Sequence, residues 1–134
     1  MANWCTNFVE YSGADFKGIS KLILSANSAN PNGFKVGDQY IFDLYIHEDP
    51  LGIDGTFSFE TKWGTEEDTV MALIKLLNCS HLTLEYEESG NQIGGIFEFE
   101  NGQLSDTELP DAYWELAQKH DEQELEPPDF NDFI

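Results

Sequence analysis

The sequence predicts an α+β domain in which one antiparallel sheet carries two helices on a single face. Three observations lead there. Five stretches have strand-like alternation or are rich in β-branched and aromatic residues. Two others repeat apolar residues at helical spacing, and the order along the chain is strand, helix, strand, strand, helix, strand, strand.

The first strand is "NWCTNFVEY", where Trp4, Thr6, Phe8 and Glu10 alternate against Cys5, Asn7, Val9 and Tyr11. Ser12 and Asp15 then form a helix-start signal, and Phe16, Ile19, Leu22, Ile23 and Ala26 set a stripe for a helix of about 12 residues. "NSANPNGFKVGD" is rich in turn formers and reads as a loop. "YIFDLYI" and "TFSFETKW" make a hairpin, the latter with Phe57, Phe59, Thr61 and Trp63 on one side and Ser58, Glu60 and Lys62 on the other. Thr65 begins the second helix, with Glu66, Glu67 and Asp68 at the positive end of its dipole. Val70, Leu73, Ile74 and Leu77 are its buried stripe, supplemented by Met71 and Leu76. "HLTLEYEE" and "IGGIFEFE" complete the set, with Leu84, Tyr86, Phe97 and Phe99 on the core face.

This order is the split βαβ arrangement, βαββαβ, plus one extra strand, a ferredoxin-like α+β fold. Residues 1–104 form this domain. Residues 105–134 read as an acidic C-terminal extension, in which Leu109–Ala117 forms a short helix with Pro110 near its first turn. A linear acidic tail ends in Phe130, Phe133 and Ile134. Nothing in the first hundred residues is predicted to cover the second face of the sheet.

Charge narrows the function classes. Twenty-six acidic residues against six basic ones give a formal net charge of −20 in 134 residues, and all six basic residues are lysines. Binding a polyphosphate depends on Lys and Arg displacing its counterions, so direct nucleic-acid binding and adhesion to an anionic membrane are excluded as leading readings. No apolar run approaches the ~18 residues that cross a bilayer, and no basic region followed by an apolar run marks a secretion signal. Cys5 and Cys79 stand outside any C-x-x-C spacing and read as free thiols in a reducing cytosol.

Three short motifs, "NWCTN" at the start, "TKWG" between a strand and a helix, and "YEESGNQIGG" bridging two strands, together resemble the YubB ferredoxin-like domain family of phage and plasmid proteins. The resemblance covers residues 1 to about 104. It implies the ferredoxin-like fold and a mobile-element origin, hence a place in the cytoplasm of a bacterial host, with no established reaction. Trp4, Trp63 and Tyr86 within these motifs read as core and turn residues.

No nucleophile elbow, Walker loop, dinucleotide fingerprint or H-E-x-x-H is present, so no catalytic residue or cofactor is assigned and the chain is expected not to be an enzyme. His47, Glu48, Asp49 and Asp54 lack the spacing of a calcium loop and read as turn chemistry, so no metal is expected. What remains is the acidic surface. Alternate residues on a strand lie about 6.6 Å apart and neighbouring strands about 4.8 Å, so Glu60, Glu85, Glu87, Glu98 and Glu100, with Glu88 beside them, are expected to form a rigid carboxylate array.

The function expected from these observations is inhibition of a basic, nucleic-acid-binding host protein by nucleic-acid mimicry, in the manner of anti-CRISPR or anti-restriction proteins. The array would supply charge; Asp121, Glu122, Glu124 and Glu126 would extend it, and Phe130 and Phe133 would anchor it. The alternative is an adaptor or assembly protein that docks a partner through its acidic, aromatic tail.

Overall fold

The computed structural model describes residues 3–29, 33–47, 52–88, 90–123 and 130, with backbone alone at 27–29 and 119–123. The elements are β1 (Trp4–Ser12), α1 (Phe16–Ala29), β2 (Phe34–Val36), β3 (Gln39–Ile46), β4 (Gly55–Lys62), α2 (Glu67–Leu77), β5 (His81–Glu88), β6 (Ile93–Glu100), β7 (Gln103–Glu108) and α3 (Asp111–Gln123). The strands form one seven-stranded sheet in the order β2-β3-β4-β1-β5-β6-β7, with every adjacent pair antiparallel. β1 lies between β4 and β5, so α2 links two strands that run the same way with β1 between them, as in a split βαβ unit.

The α+β class and the single antiparallel sheet are as expected, but the sheet has seven strands rather than five. β2 lies in the stretch read as a loop, because three residues are too few to show a period. β7 lies in the stretch read as acidic extension, because Leu104 is its only apolar residue. Both are edge strands held by hairpin pairing rather than by a strong apolar pattern of their own.

The core lies between the sheet and the α1/α2 layer. Val9, Phe57, Leu82 and Leu84 from the strands meet Leu22, Val70, Leu73 and Leu77 from the helices, all fully buried. The α2 stripe is as expected, with Met71 and Leu76 packed partly buried against it. Gly18 lets the helices touch: a Cβ there would come within 1.8 Å of the Leu76 carbonyl oxygen.

Three local details depart from the sequence reading. Phe16 starts α1 but is exposed; Asp15 supplies the cap by accepting the Lys17 amide at 2.9 Å. Thr65 does not cap α2, because its hydroxyl donates to Asn7 Oδ1 in the core. Gln39 reaches across from β3 instead, its Oε1 accepting from the Glu66 amide at 3.2 Å and from the Thr69 hydroxyl at 2.8 Å. Trp63 does not continue the Phe57, Phe59, Thr61 row: at φ 65° it ends the strand in a left-handed turn and is exposed, as is Trp4.

The second face of the sheet has a cover that the first hundred residues do not supply. Leu109, Tyr113 and Trp114 form a separate apolar cluster with Phe130 against it. The Leu109 amide bonds to the Gly94 carbonyl at 2.8 Å, and a Cβ on Gly94 would lie 2.7 Å from Leu109 Cδ1 and 3.1 Å from the Trp114 ring. Gly94 pairs with Glu87, whose side chain points away from the Leu82, Leu84, Tyr86 row, so α3 sits opposite α1 and α2.

Candidate partner-binding face

Strand alternation and register set this face residue by residue. Across β4, β1, β5 and β6 one row reads Glu60, Thr6, Glu87, Gly94. The next reads Ser58, Phe8, Glu85, Ile96, and the third Thr56, Glu10, Thr83, Glu98. His81 and Glu100 pair at the end of the hairpin. The five strand glutamates Glu60, Glu85, Glu87, Glu98 and Glu100 therefore do share one face, and Glu10 joins them. Its place was legible in the alternation of Trp4, Thr6 and Phe8.

The carboxylates are interleaved with Thr, Ser and aromatic side chains rather than contiguous. Glu98 and Glu100 are exposed, whereas Glu60, Glu85 and Glu87 are half-buried. Ile96, in the Glu85 row, is buried and so belongs to the part of the face that the C-terminal region closes. Glu88 does not belong to the array. Alternation turns it to the opposite face, where it is 1% exposed; Asn91 donates to its Oε2 at 2.7 Å, and its Oε1 has no partner among the described residues. Phe130 lies against Tyr113, with ring centroids 6.1 Å apart, rather than projecting as a free anchor. Glu124, Glu126, Phe133 and Ile134 lie outside the described residues, as do the side chains of Asp121 and Glu122.

Two carboxyl groups on this face are perturbed by neighbours or perturb them. The β3/β4 register shifts between Phe42 and Tyr45, and Asp43 within the shift has φ 52°. Its carboxyl hydrogen-bonds Glu60, whose pKa is raised by burial and then by this neighbour. Tyr113 hydrogen-bonds Glu87, and burial together with that carboxylate pushes the phenol up to about 12. Tyr86, on the core side, donates to Asp106 at 3.0 Å and is raised further, chiefly by burial.

Aromatic side chains occupy the β3/β4/β1 end of the face. Trp4 meets Phe42 edge-on at 5.2 Å, with the Lys62 ammonium 5.4 Å and 5.3 Å from the two ring centroids. Phe8 meets His47 at 5.4 Å, and His47 meets Tyr45 at 4.9 Å. Between this end and α3 lies a cavity of about 240 Å³ lined by Thr6, Asn7, Phe8, Ser58, Glu85, Tyr86, Glu87 and Phe130.

The three sequence motifs converge at one end of the sheet. The Trp63 amide bonds to the Asn3 carbonyl at 3.0 Å, and Gly90 lies against the Asn3 side chain. Beneath them Asn7 donates to Thr61 Oγ1 at 3.1 Å, and Thr61 donates to the Gly64 carbonyl at 2.7 Å. Cys5, close to Thr65 at 3.5 Å, has its thiol pKa raised mainly by burial. These residues hold the strand ends together, which is a structural role. Among the described residues no group of three or more His, Cys, Asp or Glu could hold a metal ion, and no helix is long and apolar enough to cross a membrane.

A βαββαβ core with hairpin strands added at both edges defines a ferredoxin-like α+β domain. Residues 42–128 match the family described as the ferredoxin-like domain in Api92-like protein, and the chain belongs to that family. The ferredoxin-like family expected from the motifs is thus shown, under the Api92-like name rather than the YubB one. The match includes "TKWG" and "YEESGNQIGG" and runs through β7 and α3. No curated protein and no solved structure matches the chain.

Proposed function

We propose that this chain is a non-enzymatic inhibitor from a phage or other mobile element, of the YubB-like kind, that blocks a basic, nucleic-acid-binding host protein by presenting carboxylates in place of phosphates. The observation that supports this most is the gathering of Glu10, Glu60, Glu85, Glu87, Glu98 and Glu100 on one sheet face, in a chain of net charge −20. A sheet holds its side-chain bases rigid, so little backbone entropy is lost when a basic groove docks. Charge then sets approach rate and specificity, while exposed aromatics such as Trp4 and Tyr45 supply buried area.

The test is competition. Purified protein, added to anti-phage nucleases and their nucleic-acid substrates, should prevent binding of DNA or RNA, with inhibition falling steeply as salt rises. Replacing Glu85, Glu87, Glu98 and Glu100 together by Lys should abolish inhibition while the circular dichroism spectrum stays unchanged. Full inhibition by that variant would remove the sheet face from the mechanism, and failure against every such complex would remove mimicry.

A further inference from the structure

We infer that the cavity between β1, β5 and Phe130 is a receptacle for one arginine side chain of the partner. This deepens the reading of a basic partner and rests on it. The concavity, rather than the presence of carboxylates, singles the place out: Glu98 and Glu100 share the sheet face but do not line it. Phe8 and Phe130 contribute aromatic walls, while Glu85 and Glu87 contribute carboxylates from alternate positions of one strand, whose backbone sites lie about 6.6 Å apart. Tyr113 holds Glu87 through its hydroxyl.

A volume of about 240 Å³ is below the 300–1,000 Å³ of sites for drug-sized molecules, which suits a single side chain. A planar guanidinium satisfies both kinds of lining at once, stacking on aromatic faces and donating to carboxylates through its fixed fork. An ammonium offers only a point charge, and it is more strongly hydrated. The chain has no arginine of its own to occupy the cavity.

The full-length protein, titrated with acetyl-Gly-Arg-Gly-amide and followed by NMR, should show saturable shifts of the Phe8 and Phe130 ring signals. The lysine peptide should bind several-fold more weakly. Glu85→Gln with Glu87→Gln keeps an acceptor for Tyr113 and should weaken arginine binding at least tenfold, and Phe8→Ala about tenfold. Equal binding of both peptides, or unchanged binding by the double variant, overturns the assignment.

The same double variant, tested in the nuclease competition, separates the two proposals. If it inhibits normally, and the peptide does not saturate, the arginine receptacle fails while mimicry stands. If the peptide saturates the cavity but no complex is inhibited, mimicry fails while the receptacle stands.

Discussion

The two faces of the central strands share a two-residue period and differ in what covers them. On the helix side Val9, Phe57, Phe59 and Leu84 are sealed by α1 and α2. On the other side Thr6, Phe8, Glu10 and Glu85 occupy the intervening positions, and a short cluster built on Leu109, Tyr113 and Trp114 closes only one part. Stability is concentrated on the first face, because burial of apolar area scales with what is removed from water. The second face is free to carry like charges that a core would not tolerate, and that makes it available for binding.

Substitutions on each face sharpen this contrast. Phe57→Ala, on the dry face, should cost about 3–5 kcal/mol in chemical denaturation, because it leaves a cavity among sealed side chains. Trp114→Ala, on the other face, should cost about 2 kcal/mol and should speed proteolysis within α3 while the sheet's circular dichroism persists. Equal losses from both substitutions would break the comparison, since the faces would then form one cooperative core.

Titration gives a smaller signal. A phenol whose folded pKa is raised contributes stability below its unfolded value near 10, and loses it as pH rises toward about 12. Tyr113→Phe should therefore flatten part of the stability loss between pH 10 and 12, measured by thermal melts across that window. Tyr86 shifts in the same direction, so some slope should remain.

The smallest effect should come from Asp38. Asp68 is raised first by its hydrogen bond to Asp38 and then by that neighbour's charge. A carboxyl raised in the folded state favours folding when protonated and loses that contribution as pH rises, so the pair is repulsive at pH 7. Asp38→Asn should raise the melting temperature slightly at pH 7, with the difference vanishing on acidification.

Much of the sheet was legible because β5 alternates cleanly over eight residues and β6 does so over Phe97, Glu98, Phe99 and Glu100, and the bounds of both coincide with the stretches read from the sequence. Glu88 was misassigned because it directly follows Glu87, so alternation alone decides its side, and the opposite side proved buried. β7 carried no apolar rhythm, yet Asn101-Gly102, both at positive φ, is a strong short signal for a hairpin. The cover by α3 was out of reach of periodicity. Gly94 owes its meaning to Leu109 and Trp114, and such a contact shows only once the chain has folded back.

β7 also bears on self-association. Among the described residues it is the outermost strand on its side, and every residue of it except Leu104 is exposed, including Asp106 and Glu108. An unpaired strand edge is a template for another chain, and charged side chains along it block that addition. Near the sequence isoelectric point of about 4.1 the chain's net charge vanishes, and the repulsion between copies vanishes with it. Self-association along β7 should begin there, with light scattering rising before the sheet itself melts.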